Sequence, residues 1–159
     1  MQAVLCNLRS SFNTGAIFRT AECFGVEKIY CTGYTPGADH PGIAKTAMGT
    51  EKKICLEYAE DAINLLPKLR TRGELIALET AEKAEMLDQF CFSFPCSIII
   101  GNEKFGLSPL LLAGVDRIVR IPLWGWKNSL NVAAALAICL YEARKQYNSI
   151  KFCNYSDFK

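Results

Sequence analysis

Short apolar runs separated by helical patterns constrain this chain more than any other feature. Residues 3–6, 28–32, 54–56, 74–79, 97–100 and 117–121 have strand character, and several are apolar on both faces, as buried parallel strands are. Between them, 14–24, 59–69, 109–113 and 131–147 carry helical periodicity. Strand and helix in alternation predict an α/β fold with a mainly parallel sheet and helices on both faces. In such folds ligands sit in the crevice beyond the carboxyl ends of the strands. With 159 residues, half of them apolar, the chain fits one domain with a sizeable core. Residues 1–159 are therefore expected to be a single domain, with a loop at 33–42, a polar connector at 45–53 and a docked or frayed tail at 148–159.

Three polar segments fall where such a crevice would lie. The first, after the first strand, carries Asn13, Gly15 and Arg19. Asn13 can cap the helix that follows, and Gly15 leaves room for something to approach its first turn. Arg19 lies nearly two turns beyond Asn13, beside the apolar Ile17 and Phe18, where it suits a phosphate clamp or is an ordinary solvated residue. The second segment, after SIII, holds Gly101, Asn102, Glu103 and Gly106: a carboxylate just past a strand end with glycine on both sides. That pattern serves either a tight turn or a close approach to a ligand.

The third segment, IPLWGWKNSLN, includes Pro122, Gly125, Ser129, Leu130 and Asn131 immediately before an apolar helix. One of Ser129 and Asn131 would ordinarily be the cap, but two polar side chains behind two tryptophans are more than a cap needs. Trp124 and Trp126 either cover core or offer a stacking surface to a nucleobase, a contact worth about 1–3 kcal/mol per base.

Several function classes are disfavoured. Neither GxGxxG nor GxxxxGK[ST] occurs, which counts against a dinucleotide-binding dehydrogenase and a P-loop ATPase. The formal net charge of +2 does not by itself announce a polyanion partner, so any RNA contact must come from a local patch or a second subunit. The eight cysteines form no CxxC pair and read as small buried hydrophobes in a reducing cytosol, and with His40 as the lone histidine no metal site is expected. No signal peptide or stretch of about twenty apolar residues is apparent, which predicts a cytoplasmic protein without a membrane span.

In their order and spacing, the three segments resemble the SPOUT class of methyltransferases, in its SpoU/TrmH branch. The resemblance rests on Asn13, Gly15 and Arg19, then Gly101, Asn102, Glu103 and Gly106, then Ile121, Pro122, Gly125, Ser129, Leu130, Asn131 and Val132, and covers residues 2–147. A departure lies in KTAMGTEK, where Ala47 and Thr50 stand in place of the serine and alanine usual in relatives.

The resemblance implies a deep trefoil knot near the C-terminus, formed by the second and third segments, which the usual connection rules would not suggest. It implies S-adenosylmethionine as cofactor, held by Leu78, Glu79, Thr80, Gly101, Asn102, Glu103, Ile121, Leu123, Ser129 and Leu130, and a homodimer packed through the last long helix. The implied reaction is methyl transfer to a ribose 2′-hydroxyl of RNA. Arg19 would hold an RNA phosphate whose oxygen, or a water, takes the hydroxyl proton, because a guanidinium is a poor base. Asn13 would orient Arg19, while Glu103, Ser129 and Asn131 shape the catalytic pocket.

Arg9, Arg19, Lys45 and Lys104 are the candidate RNA contacts. No added RNA-binding module is expected, as in compact relatives that act on transfer RNA, with the wobble ribose a plausible target. The alternatives are ribosomal RNA 2′-O-methylation, base methylation, which the Ser129, Leu130, Asn131 pattern disfavours, and a non-catalytic RNA-binding module.

Overall fold

A computed structural model describes residues 1–156, with side chains through residue 150. Seven strands, β1 (Gln2–Cys6), β2 (Lys28–Thr32), β3 (Leu56–Ala59), β4 (Glu74–Leu78), β5 (Glu85–Met86), β6 (Cys96–Ile100) and β7 (Arg117–Arg120), form one sheet in the order β3-β2-β1-β6-β4-β7-β5. Every pair is parallel, with Ala3 opposite both Ile29 and Ile98, and Ile76 opposite Ile98 and Arg117. All strands therefore end at one edge of the sheet.

Burial on both faces explains why the central strands are continuously apolar. Ala3 and Leu5 of β1, with Ile76, Ile98 and Ile100, join a core covered by α1 (Ser11–Cys23), α2 (Ala44–Ala47) and α5 (Val132–Ser156). Val4 and Cys6, with Leu75, Ala77 and Ile99, face the other way, toward α3 (Ala62–Arg70) and α4 (Pro109–Ala113). At the edge, the two-residue β5 is held by Arg117, whose guanidinium donates to Glu85 at 2.8 and 2.6 Å and lies 4.0 Å from the Phe90 ring centroid.

Boundaries differ from the sequence expectation where side chains compete with periodicity. α1 begins at Ser11 rather than residue 14, because Ser10 is its cap and accepts from the Asn13 N–H at 3.2 Å. Asn13 is thus inside the helix. α3 begins after Asp61, whose carboxylate accepts from the Ile63 N–H at 2.9 Å, so 59–61 belong to the end of β3 and the turn. β3 itself lies at Leu56–Ala59, displaced from the expected 54–56 by its pairing with β2.

The polar connector contains the one-turn helix α2 and a 3-10 turn at Thr50–Lys52. Thr50 Oγ1 donates to the Ala47 carbonyl at 2.6 Å, which makes the two residues that depart from the family pattern a contacting pair. The expected tail is largely helix: α5 continues through Ser156, and 157–159 lie outside the described residues.

The cysteines are a mixed set. Cys6, Cys31, Cys96 and Cys139 are buried, and desolvation raises their thiol pKa values, to about 12 for Cys6 and Cys31 and about 11 for Cys96. Cys23, Cys55 and Cys91 are exposed, contrary to the expectation of buried hydrophobes, because each lies at or beyond the end of an element rather than within a strand. No helix among the described residues is long and apolar enough to cross a membrane.

Candidate active site

A cavity of about 450 Å³ opens at the carboxyl ends of β4, β6 and β7. All ten positions that the family resemblance assigns to the cofactor line it, together with Asn13, Asn131 and Lys104. The wall also includes residues not singled out from the sequence: Ile100, Arg120, Asn128 and Ala135. A strand-end signal would have found Ile100 and Arg120, since each is the last residue of its strand and neighbours a segment already marked.

Glu103 organises one side. Its Oε2 accepts from the Arg9 N–H at 2.9 Å, and its Oε1 accepts from the Ser10 N–H at 3.1 Å and the Asn13 amide at 3.1 Å. The carboxylate sits at the N-terminal end of α1, bonded by the cap residue Ser10 and by Arg9 just ahead of it, a favourable place for an anion. Partial burial opposes the charge, but the hydrogen bonds from Arg9, its own backbone, Asn13 and Ser10 outweigh it and hold Glu103 below the usual carboxylate range. Asn13 is spent in this network: its amide donates to Glu103 and its carbonyl oxygen accepts from Asn131 at 3.0 Å. Asn131 Oδ1 in turn accepts from the Ala133 and Ala134 N–H groups at 2.9 and 3.3 Å, capping α5.

The floor is equally committed. Asn102 is buried, donates to the Asn7 carbonyl at 2.8 Å and the Tyr34 hydroxyl at 3.0 Å, and accepts from the Lys104 and Phe105 N–H groups at 2.9 and 3.0 Å. Glu79 accepts from the Thr80 and Leu107 N–H groups at 2.9 and 2.8 Å. These side chains build the loops. Gly106 has φ +64, and a Cβ there would meet Glu79 Oε2 at 2.4 Å, so the glycine closes the turn against that carboxylate. Gly101 serves the same turn, since its Cβ would lie 2.3 Å from the Gly106 carbonyl carbon.

Gly15 is a packing residue. A Cβ on it would meet Thr46 Oγ1 at 2.2 Å and the Ile43 carbonyl oxygen at 2.7 Å, so what approaches the first turn of α1 is α2. Arg19 is exposed on α1, and Arg9 and Lys45 are exposed as well; none of the three lines the cavity, whereas the exposed Lys104 does. Asn13 forms hydrogen bonds with Glu103 and Asn131, and its relation to Arg19 is a shared helix.

Trp124 and Trp126 are each 89% exposed, which removes the core-covering reading: the loop 121–131 carries them outward. They border a second, apolar groove of about 680 Å³ with Leu87, Leu130, Ile138 and Tyr141.

The family model for SpoU rRNA methylases matches residues 1–141. The chain belongs to the SpoU rRNA methylase family. The family member is 31% identical over 147 residues, 92% of this chain and 75% of the relative, to a tRNA (guanosine(18)-2′-O)-methyltransferase of Thermus thermophilus. It is 34% identical over 90% of its length to a 23S rRNA (guanosine-2′-O-)-methyltransferase of Pseudomonas syringae, 57% of which is covered. It also resembles an AdoMet-bound rRNA methyltransferase from Sinorhizobium meliloti, with TM-score 0.84 and 29% identity over 91% of this chain and 55% of that one.

For this SpoU family chain the cavity suits an adenosyl compound. Its volume falls in the range of small-molecule sites of about 300–1,000 Å³, and it pairs apolar side chains (Leu78, Ile100, Ile121, Leu130) with loop backbone that glycines 101 and 106 bring close.

Proposed function

We propose that this protein transfers a methyl group from S-adenosylmethionine to a ribose 2′-hydroxyl of RNA, with transfer RNA the favoured substrate. The observation that carries the proposal is the meeting of the three separated segments at one cavity, joined by the Asn131–Asn13–Glu103 hydrogen bonds. Family membership and relatives named as RNA 2′-O-methyltransferases give the reaction class. The cofactor would supply an electrophilic methyl group, and Leu78, Glu79, Thr80, Gly101, Asn102, Glu103, Ile121, Leu123, Ser129 and Leu130 along the cavity wall would hold it.

The remaining work falls to the protein. The hydroxyl is a weak nucleophile at neutral pH, so it must be oriented and relieved of its proton. Glu103 and Asn131, fixed through Asn13, hold α1, α5 and the loop after β6 in one arrangement, and Ser129 lines the same cavity. Exposed Arg19, with Arg9, Lys45 and Lys104, meets the RNA backbone. Arg19 keeps its proton and holds a phosphate, leaving that phosphate or a water to accept the hydroxyl proton.

Two further features belong to this proposal. β6 enters the sheet between β1 and β4, and β7 between β4 and β5, so the late strands insert between earlier ones; this supports a trefoil knot through the segments 101–106 and 122–131. The exposed Ile138 and Tyr141 of α5 support a homodimer packed through that helix, with the active site drawing on both subunits.

The test is transfer of radiolabelled methyl to bulk transfer RNA and, in parallel, ribosomal RNA, followed by nucleoside analysis. A 2′-O-methylated nucleoside in the transfer RNA pool is expected. Label on a base, or none in either pool despite cofactor binding, would overturn the proposal.

A further inference from the structure

Arg120 is the last residue of β7, half-buried, and lines the cavity. Its Nε is shut off from solvent and has no hydrogen-bond partner among the described residues. The other half-buried arginines are engaged: Arg117 on Glu85, and Arg144 on the carbonyls of Phe24 and Gly25 at 2.8 and 2.7 Å. Buried donors are normally satisfied, and the Arg120 side chain has neither a hydrogen bond nor an ion pair among the described residues, so an unpartnered, half-buried guanidinium on a residue of the cavity wall points to a partner that is not part of the chain.

The surroundings select what that partner is. Glu79 N–H donates to the Val119 carbonyl at 3.0 Å, which sets Arg120 alongside Glu79 and Thr80 at the strand ends. Glu79 and Glu103 accept from backbone N–H groups and from Asn13, and neither forms an ion pair with Arg120 among the described residues. S-adenosylmethionine carries two positive centres, the sulfonium and the ammonium, and one negative group, its α-carboxylate. A guanidinium repels the first two and pairs with the third in a fork geometry. An RNA phosphate would find Arg9, Arg19 and Lys45 exposed outside this cavity.

We propose that Arg120 binds the carboxylate of the cofactor's amino-acid tail and so selects adenosyl compounds that carry that tail. The inference rests on the cofactor reading given above.

The experiment compares adenosyl ligands with and without the tail carboxylate. Calorimetry of the wild type, R120Q and R120K is run with S-adenosylhomocysteine, with decarboxylated S-adenosylmethionine and with 5′-methylthioadenosine. Loss of a charge-assisted hydrogen bond weakens binding by about 10- to 100-fold, so R120Q is expected to lose that much for S-adenosylhomocysteine. R120K should fall between, since it keeps the charge and loses the fork.

5′-Methylthioadenosine, which lacks the amino-acid tail, should bind all three proteins within about twofold and serves as the control for folding of each variant, whereas decarboxylated S-adenosylmethionine, which keeps both positive centres without the carboxylate, should bind R120Q no more weakly than it binds the wild type. Equal loss for every ligand, or undiminished binding of S-adenosylhomocysteine by R120Q, would overturn the assignment. So would a loss confined to transfer RNA affinity, which would make Arg120 a phosphate contact. A wild type that binds none of the three compounds would instead remove the cofactor reading itself, and this inference with it.

Discussion

The Asn131 side-chain amide donates to the Asn13 side-chain oxygen at 3.0 Å, across 118 residues of chain. Asn13 passes the connection to Glu103, and Asn131 caps α5 with its own oxygen. The starts of α1 and α5 and the loop after β6 are thereby fixed to one another. A pair of short amides costs little side-chain entropy to hold, which suits a joint that sets a cavity's shape.

This joint should behave as one unit under mutation. Asn131→Ala removes a helix cap, worth about 1 kcal/mol, and also leaves Asn13 without its donor. Asn13→Ala removes two hydrogen bonds at once. In a double-mutant cycle followed by urea unfolding, the two changes are expected to be non-additive by about 0.5–1 kcal/mol, because the second removes a contact already lost. Additive effects would show that the amides act independently.

Glu103 makes stability depend on pH in a defined direction. Its folded pKa lies below the ordinary carboxylate value, so its contribution is fully present above about pH 4.3, the unfolded value, and is lost as pH falls through the lower folded value. Glu103→Gln, which cannot titrate, should therefore be less stable than the wild type at neutral pH and approach it near pH 3. Denaturant midpoints at pH 7, 4 and 3 give the comparison, and a difference that does not shrink with acid would contradict it.

The parallel sheet was legible in the sequence because its strands are buried on both faces, and the alternation of Ala3 and Leu5 with Val4 and Cys6 between two cores shows why they read as continuous apolar runs. The gathering of the ten assigned positions around one cavity was legible only through the family motifs, since no periodicity marks Leu123 or Thr80. What escaped notice depends on contacts distant in sequence. Asn13 looks like a cap until Ser10 is seen to be one, and Gly15 looks like a ligand approach until α2 is seen against it. Arg120 looks like an ordinary strand-end charge, and only the lack of a partner among the described residues sets it apart.

Gly15→Ala tests that packing role. The new methyl would collide with the Ile43 carbonyl oxygen and with Thr46 Oγ1, and backbone cannot yield as a side chain can. Overpacking of this kind costs about 1–3 kcal/mol, against the gain of a few tenths to 1 kcal/mol normally expected when glycine in a helix becomes alanine. Destabilisation in thermal unfolding is the expected outcome. A more stable variant would mean that α2 is not held against α1.

Arg19 is exposed, so its replacement should spare the fold and strike the reaction. Arg19→Ala and Arg19→Lys are expected to unfold within about 0.5 kcal/mol of the wild type, as surface substitutions do, while methyl transfer falls by at least tenfold for alanine. Lysine keeps the charge without the planar fork and should recover part of the activity. Near wild-type turnover by both variants, with unchanged RNA affinity, would remove Arg19 from the mechanism.

The apolar face of α5 gives the last prediction. Ile138 and Tyr141, one turn apart, are 43% and 60% exposed and border the groove that Trp124 and Trp126 flank. An uncovered apolar surface of this kind on a long helix is expected to pair with its symmetry mate, where each copy covers the other. Replacing both residues by lysine brings two positive charges from each copy into the same contact. Sedimentation velocity should show a dimer for the wild type and a monomer for I138K/Y141K, with the monomer retaining its far-UV circular dichroism. If the active site draws on both subunits, methyl transfer should fall with dimer content as the double variant is titrated against wild-type protein. A double variant that remains dimeric would place the subunit contact on another face.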